Sequence, residues 1–324
     1  MSLPVLGIDI AKDKFDAALL QEAKPRHHQF ENKPRGFAQL QDWLQRQGAP
    51  QVHACLEATG TYGEALAEFL YQQGHTVSIV NPAQIKAFGE SELSRNKTDR
   101  SDAGRIARFC RSQQPRPWTP PRPELKELQA LTRRLESLQE MRQMEANRLS
   151  SGVAAERVRQ SLEQSLAFLD QEIHALEAAI QAHIDQHPEL KARQQLLKSI
   201  QGIGAKTATT LLAECHDPAR FESARALAAF AGVTPQQILS GSSVQGKSKL
   251  SKKGSSRLRK ALYWPAIVAM RYNPVVRAFS QRLSERGKPR MVQIGAAMRK
   301  LLHLAYGVLK SGRPFDPNFV RSAA

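Results

Sequence analysis

The 324-residue sequence has few cysteines and no long apolar run, and each shortage excludes a class of protein. Its three cysteines, Cys55, Cys110 and Cys215, are odd in number and far apart. They indicate a reducing cytosol and argue against a disulfide framework or a clustered zinc site. No apolar run is long enough to cross a bilayer, so no membrane partner is expected. The first residues lack a basic region followed by an apolar one, so we expect no secretory signal and a cytoplasmic location.

Acidic residues are also scarce. The chain has 30 aspartates and glutamates against 47 lysines and arginines, and its formal net charge is +17. Such a balance fits a nucleic-acid partner, an anionic membrane surface or simple solubility. The charge is spread over segments predicted to be ordered and is not confined to one tail, which favours nucleic acid. The histidines lack metal-ligand spacing and no Walker-type loop is present, so neither zinc nor ATP-driven chemistry is expected.

Apolar periodicity predicts a run of strands and helices before residue 115. The strands are expected at 4–10, 14–20, 26–31, 51–57 and 76–81, and the helices at about 36–47, 63–73 and 99–112. Three strands joined by hairpins, followed by strands joined through helices, predict an α/β domain. Its mixed five-stranded sheet would have flanking helices.

A proline-rich break at 115–123 predicts the end of this first domain, which we place at 1–115. Two helical stretches follow over 122–190. The second spaces its apolar residues by alternating steps of four and three, which is typical of a coiled coil. The simplest interpretation is a coiled-coil spacer through which the chain forms a homo-oligomer. An intramolecular hairpin of the two stretches would use the same leucines.

The remaining residues, 191–324, are predicted to form a mainly α-helical C-terminal domain. A helix, a Gly-Ile-Gly turn and a helix span 196–214, and further helices are expected at about 222–231, 257–272 and 290–310. The Gly-Ile-Gly turn either exposes backbone N–H groups to a phosphate or is a tight turn in which glycine supplies a positive φ. The segment 240–256 is rich in Ser, Gly and Lys and is interpreted as a loop.

Four acidic residues occupy positions from which they can converge. Asp9 lies in the first strand and Glu57 ends the fourth, and these strands would be neighbours in a sheet of this order. Asp99 and Asp102 are three residues apart on one helix face. If that helix packs across the sheet, the four carboxylates would hold one or two Mg²⁺ ions, which prefer carboxylate oxygens and accept phosphate at their open positions. The alternative is four ordinary strand-end and helix-start acids.

The loop at 240–256 adds candidate nucleophiles. A serine hydroxyl can attack a phosphodiester when a metal or a base assists its deprotonation. Spacing does not choose among Ser240, Ser242, Ser243, Ser248 and Ser251, and loop serines often only contact phosphates.

Basic residues flank both candidate sites. They either grip phosphates or form a solvated face. The predicted nucleic-acid contacts are Arg95, Lys97, Lys247, Lys249, Lys252, Lys253, Arg257, Arg259 and Lys260. Tyr263 and Trp264 adjoin this basic run and either stack on bases or belong to the core.

Several ordered motifs resemble those of the DEDD transposases of bacterial insertion sequences. In the first half they are GIDIAKDKFD (7–16), CLEATGTYGE (55–64), VNPAQIKAFGES (80–91) and RNKTDRSDA (95–103). In the second half they are GIGAKTA (202–208), LAAFAGVTP (227–235), SGSSVQGKS (240–248), LSKKG (250–254) and LRKALY (258–263). The resemblance covers nearly the whole chain, including the spacer.

The resemblance implies a RuvC/RNase H-like first domain in a DNA recombinase guided by a structured bridge RNA. It implies that Asp9, Glu57, Asp99 and Asp102 bind Mg²⁺ and that Ser240 is the nucleophile. It further implies dimers that pair into a tetramer on target and donor DNA at the bacterial nucleoid, with the serine and the carboxylates meeting between subunits. Base selection would fall to pairing with the RNA.

Three functions therefore compete. The first is a recombinase that forms a covalent seryl-DNA intermediate, which Ser240→Ala should abolish. The second is a RuvC-like, metal-dependent nuclease or Holliday-junction resolvase that uses water, and it should survive that change. The third is a non-enzymatic RNA- or DNA-binding protein whose acidic cluster is structural.

Overall fold

The protein is described by a computed structural model at residues 3–22, 24–58, 60–91, 99–152, 155–216, 220–236, 239–240, 244–245 and 249–318. The side chains of 99–101, 239–240, 244–245 and 249 lie outside this description. The chain divides into two compact units, Met1–Pro120 and Pro121–Ala324. The finer domain limits 1–115, 122–190 and 191–324 stay predictions.

The first unit contains the predicted mixed sheet of five strands. They are β1 (Val5–Ile10), β2 (Lys14–Leu20), β3 (Arg26–Glu31), β4 (His53–Glu57) and β5 (Thr76–Val80). Their order is β3-β2-β1-β4-β5. The hairpin pairs β1–β2 and β2–β3 are antiparallel, whereas β1–β4 and β4–β5, whose strands are joined through helices, are parallel. The predicted mixed sheet is confirmed.

Helices cover both faces of this sheet, because strands β1, β2, β4 and β5 alternate their side chains between two apolar layers. The helices are α1 (Pro34–Arg46), α2 (Glu64–Gln72), α3 (Pro82–Ser91) and α4 (Asp99–Gln113). One core packs α1 and α2 against Leu6, Ile8 and their neighbours. The other packs α4 against Val5, Cys55 and Val80. The pattern did not predict α3, since this helix buries only Ile85 and Gly89.

The contact between α4 and the sheet is close because of Gly7 in β1. A Cβ atom at this position would lie 2.2 Å from the carbonyl oxygen of Ala103 and 2.3 Å from the amide nitrogen of Ala107. Only a residue without a side chain lets the helix backbone approach the strand to this distance. Gly7 therefore sets the position of α4 over β1.

The second unit is mainly α-helical, as predicted. Its helices are α5 (Pro123–Ser150), α6 (Glu156–Gln186), α7 (Pro188–Lys198), α8 (Ala205–Cys215), α9 (Ala224–Phe230), α10 (Ser256–Tyr272), α11 (Pro274–Glu285) and α12 (Arg290–Ser311). Two pairs of two-residue strands lie between α9 and α10. The first is β6 (Pro235–Gln236) with β9 (Lys249–Leu250), and the second is β7 (Leu239–Ser240) with β8 (Val244–Gln245). These strands lie in and next to the segment interpreted as a loop.

The sequence pattern also missed α11, a short helix with a clear start. The side chain of Asn273 caps it, accepting hydrogen bonds from the amides of Val275 and Val276 at 3.1 Å each. Pro274 occupies the first helical position, where its missing N–H costs nothing. The Asn-Pro pair was the signal that could have identified this helix.

Helices α5 and α6 pack against each other within one chain. An ion pair between Arg142 and Asp170 joins their polar sides. Their buried apolar residues share one core with the rest of the second unit: Leu125, Leu128, Leu135 and Leu138 on α5, and Leu169, Ile173, Ile180 and Ile184 on α6. These apolar residues thus pack against one another within one chain, as the alternative of an intramolecular hairpin required. The coiled-coil spacer and self-association remain predictions.

Candidate active site

Two of the predicted carboxylates lie side by side at one edge of the sheet. In the parallel pair β1–β4, Ile8 is the register partner of Leu56. Asp9 and Glu57 are the next residue of each strand, and both are partly buried. Because β1 and β4 are parallel, their carboxyl ends meet at the same edge, where functional groups of α/β sheets commonly gather.

Helix α4 runs antiparallel to β1, so that its first turn is directed toward this edge. At its far end, the thiol of Cys110 contacts the carbonyl oxygen of His53, at the start of β4, and Arg111 donates to that of Leu20 at 2.8 Å. At the near end, Ala103 contacts Gly7. Asp102 directly precedes Ala103 and therefore lies toward Asp9 and Glu57. Asp99 begins the helix, and its side chain lies outside the described part of the chain.

Asp102 lies within ion-pair distance of an arginine of its own helix. Its Oδ1 atom lies 3.1 Å from the Nη2 atom of Arg105, and both side chains are largely buried. Arg105 in turn packs against Gly89 of α3, where a Cβ would come within 2.8 Å of the arginine side chain. The sequence analysis did not identify Arg105. Its signal was the Asp-x-x-Arg spacing, which places the two groups on one helix face.

A further acid, Asp16, also escaped the sequence analysis. It is the cross-strand partner of Asp9 in the antiparallel pair β1–β2, so both side chains lie on the same sheet face. Gln29 on β3 donates to both carboxylate oxygens of Asp16, at 3.2 and 3.0 Å. The alternation of β2 places Phe15 and Ala17 on the opposite face, which was sufficient to assign Asp16 to the face of Asp9.

This edge supplies hard oxygen ligands of the kind that Mg²⁺ prefers. Two like charges directly opposite each other in a sheet are unfavourable, and a cation would offset the repulsion between Asp9 and Asp16. Within the described ranges, no three His, Cys, Asp or Glu side chains are close enough together to hold one ion. The fit therefore rests on donor chemistry, and the convergence of Asp9, Glu57, Asp99 and Asp102 stays a prediction.

A pair of thiols lies beneath the site, between β4 and α4. Cys55 and Cys110 are both buried. A hydrogen bond with Cys110 and burial raise the pKa of Cys55 well above its usual range. The pair serves as apolar packing that fixes α4 on the sheet.

The predicted nucleophile lies in the second unit. Ser240 ends β7 and pairs with Val244 of β8. Its side chain and residues 241–243 lie outside the described part of the chain.

The segment that carries Ser240 begins and ends at a single, well-bonded base. The amides of Ser251 and Ser255 donate to the carbonyl oxygens of Thr234 and Phe230, at 2.9 and 2.8 Å. The guanidinium group of Arg259 donates to the carbonyls of Ala231, Gly254 and Ser255, at 3.0 to 3.3 Å. Arg259, predicted to contact phosphate, therefore holds this base together.

Two other predicted phosphate contacts are bound to carboxylates of α5. Lys260 lies 2.6 Å from Glu140 and 3.4 Å from Glu136, and Arg257 lies 2.8 Å from Glu136. The hydrogen bond with Lys260 is the main cause that lowers the pKa of Glu140. Arg257 and Lys260 thus already have anionic partners, which weakens the case for both as primary phosphate contacts.

The other predicted basic contacts fall into two groups. Lys252 and Lys253 are exposed and stand beside the serine segment. Arg95, Lys97 and Lys247, together with the side chain of Lys249, lie outside the described residues.

The Gly-Ile-Gly turn between α7 and α8 has the tight-turn geometry. Gly202 has a φ of +104°, and a Cβ there would lie 2.9 Å from the carbonyl oxygen of Pro265 and 2.8 Å from the Cβ of Ala269. Glycine is needed for the backbone conformation and for the close approach to α10.

Comparison with known proteins covers both units. Residues 6–157 match a sequence family described as Transposase, and residues 194–281 match the Transposase IS116/IS110/IS902 family. The pilin gene-inverting proteins of Moraxella bovis and Moraxella lacunata are each 36% identical over 320 residues, which cover 98% of either chain. An uncharacterized 43.6 kDa protein of insertion element IS110 from Streptomyces coelicolor is 30% identical over 156 residues, covering 48% of this chain and 37% of that protein. The chain belongs to the IS110 family of transposases.

Proposed function

We propose that this transposase cleaves and rejoins DNA at specific sites through a covalent link to Ser240, under the guidance of a structured RNA. Its family membership makes it an enzyme that cuts and rejoins DNA strands. The observation that carries the proposal is the placement of Asp9 and Glu57 on adjacent strand ends, with α4 seated on Gly7 and its first turn directed toward them.

The relatives from Moraxella are named for gene inversion. Inverting a DNA segment requires breaking both of its ends and joining each to the opposite flank. We propose the same class of reaction here, with DNA as target and donor. The net charge of +17 supports binding of such polyanions.

Asp9, Glu57, Asp99 and Asp102 would hold one or two Mg²⁺ ions in this proposal. Bound Mg²⁺ would stabilise negative charge on the reacting phosphate and favour deprotonation of the nucleophile. Arg105, within ion-pair distance of Asp102, would offset part of the charge of that carboxylate and help to place it at the site. Asp16, opposite Asp9 on the same sheet face, would add negative charge that favours binding of a cation there.

Ser240 would attack the scissile phosphorus through its Oγ atom. A bond from Oγ to phosphorus forms, the bond from phosphorus to a deoxyribose oxygen breaks, and the serine proton is lost while the leaving oxygen gains one. The phosphoserine ester conserves the phosphodiester energy, so that the exchanged strand's hydroxyl can reverse the step and release the serine.

We further propose that the two units come together between subunits of a dimer, two dimers forming a tetramer on DNA. The sheet order β3-β2-β1-β4-β5, with only β2 antiparallel to both its neighbours, supports a RuvC/RNase H-like first domain.

Within the described ranges no helix has the length and apolarity to cross a bilayer. The expected place of action is the bacterial nucleoid.

A water-using nuclease remains the competing function, because all the candidate metal ligands belong to the first unit while Ser240 belongs to the second. Incubation with labelled target DNA, candidate RNA and Mg²⁺ or EDTA, followed by denaturing electrophoresis, separates the two. We expect a protein-linked DNA band that Ser240→Ala and Asp102→Asn remove and that EDTA prevents. Ser251→Ala is the matched control from the base of the same segment and should keep the band. Free cleaved ends in Ser240→Ala would instead support hydrolysis by water.

A further inference from the structure

Helix α10 exposes an aromatic stripe on the side facing away from the core. Trp264, Val268 and Tyr272 are spaced by four residues, which places them on one helix face. They are 70%, 43% and 60% exposed, whereas Leu258, Leu262, Ala266 and Ala269 on the opposite side are buried. The sequence is compatible with Trp264 as either a core residue or a base-stacking residue, and its exposure excludes the core.

The stripe carries a cation and a fixed indole. The guanidinium group of Arg271 lies 5.3 Å from the centroid of the Tyr272 ring. Tyr263 packs edge-on against Trp264, with ring centroids 5.5 Å apart and an interplanar angle of 82°. Tyr263 therefore contacts one part of the Trp264 ring, while most of that side chain remains accessible. This arrangement combines aromatic surface with positive charge, which suits a base and its phosphate.

A cavity of about 690 Å³, lined mainly by α5, α6, α8 and α10, borders the stripe at Trp264. Its lining includes Glu136 and Glu140, which already hold Arg257 and Lys260. Phosphates gain little from cations that are already paired and are repelled by the carboxylates. A polyanion would therefore meet α10 at its Trp264–Tyr272 half and not along its first turns.

We propose that Trp264, Val268, Arg271 and Tyr272 form a stacking platform for unpaired DNA. Trp264 and Tyr272 are eight residues apart, or about 12 Å along the helix. The two rings would therefore hold two different nucleotides. Only unpaired bases offer their faces, since those of a duplex are covered by their neighbours. Cleavage and rejoining of DNA separate its two strands. The stacking platform rests on the proposed function, because that reaction would supply the unpaired DNA.

The occupant is nucleic acid in preference to protein because the chain carries a net charge of +17 and the stripe itself contains Arg271. We commit to DNA because DNA is the substrate of the family's reaction. Base–aromatic stacking tolerates every base, so the platform would hold whichever strand is exposed without selecting a sequence.

Fluorescence anisotropy with labelled oligothymidylate tests the platform, using full-length protein in a Ser240→Ala background and in the presence of EDTA, so that binding is measured without cleavage by serine or by water. Removing a ring that stacks on one base should raise the Kd roughly five- to 150-fold. We expect losses in this range for Trp264→Ala and for Tyr272→Ala, with Trp264→Phe retaining most of the affinity. The affinity of either alanine variant for duplex DNA of the same length should fall less than twofold. Phe168→Ala, which removes an aromatic side chain that is 59% exposed on α6, is the matched control and should bind normally.

Unchanged oligothymidylate binding in both alanine variants overturns the proposal. So does an equal loss for duplex and single strand, which indicates a general electrostatic or folding effect. A loss confined to single-stranded RNA overturns the assignment to DNA. Dissociation of an oligomer by Trp264→Ala with normal DNA binding assigns the stripe to a subunit interface instead. Because EDTA withholds the metal ion, neither a serine nor a water nucleophile would cut the labelled DNA, so failure of the serine mechanism leaves this measurement intact.

Discussion

Replacing Gly7 with alanine tests the packing that places α4 over the candidate site. The added methyl group would lie 2.2 Å from one backbone atom of α4 and 2.3 Å from another. Neither Ala103 nor Ala107 has a side chain that can rotate away, so the helix backbone itself must move by about 1 Å to restore an ordinary contact.

The cost has two parts. Overpacking a buried contact typically destabilises a protein by about 1–3 kcal/mol, and a backbone-to-backbone clash belongs at the upper end, so we expect a loss of about 3 kcal/mol in the free energy of unfolding. The same displacement moves Asp102 relative to Asp9 and Glu57. A misplacement of about 1 Å can reduce the rate of a positioned reaction by roughly 10²-fold.

Urea denaturation measures the first effect, and strand cleavage of labelled DNA at a temperature where the variant stays folded measures the second. Gly307→Ala is the matched control, since Gly307 is an exposed position in α12 where an added methyl group would meet nothing within 4 Å. That change should stabilise the protein by about 0.5–1 kcal/mol. A Gly7→Ala protein with an unfolding free energy within about 0.5 kcal/mol of the parent and normal cleavage would refute the reasoning.

Two further predictions concern buried titratable groups. Burial lowers the pKa of His216 from its usual 6.5 to about 4. Between these values the unfolded chain binds a proton that the folded protein does not, so stability should fall as pH drops from about 6.5 to 4, by at most about 3 kcal/mol. His216→Asn should flatten this part of a stability–pH curve measured by urea denaturation, and an unchanged slope would contradict the assignment. Cys55, Cys110 and Cys215 are all buried, and burial raises the pKa of Cys215 to about 12. The hydrogen bond with Cys55 lowers the pKa of Cys110 to about 6, so only its burial protects that thiol at pH 8. Because a reagent must reach the sulfur, a thiol reagent at pH 8 should label the unfolded chain far faster than the native protein, and rapid native labelling would count against this burial.

The sheet and the position of two acids could be predicted from the sequence because they depend on local pattern. Alternating and continuous apolar runs identified the strands, and the change from hairpins to helical connections fixed their pairing. Asp9 and Glu57 followed as neighbours from that order, and the structure has Ile8 and Leu56 in register just before them.

Contacts between distant residues could not be predicted in the same way. Lys260 and Glu140 are 120 residues apart, and only the packing of α5 near α10 brings them together. The alternation of β2 gives the sheet face of Asp16, but its position directly opposite Asp9 depends on the register between two strands. Trp264 was ambiguous, since an aromatic residue beside a basic run fits both a core and a surface until its exposure is known.

The hydrogen-bonded base of the segment that carries Ser240 separates changes within that segment from changes in the helices around it. Hydrogen bonds from Ser251 to Thr234 and from Ser255 to Phe230 fix the two ends of the segment. The folding of α9 and α10 therefore depends little on the residues between these ends. Insertions or replacements within 237–248 would cost little in loop-closure entropy, because that cost grows only slowly with length. The helical scaffold can therefore stay folded when residues around Ser240 are changed, so a loss of strand cleavage in a Ser240 variant would report on the missing hydroxyl and not on unfolding of the second unit.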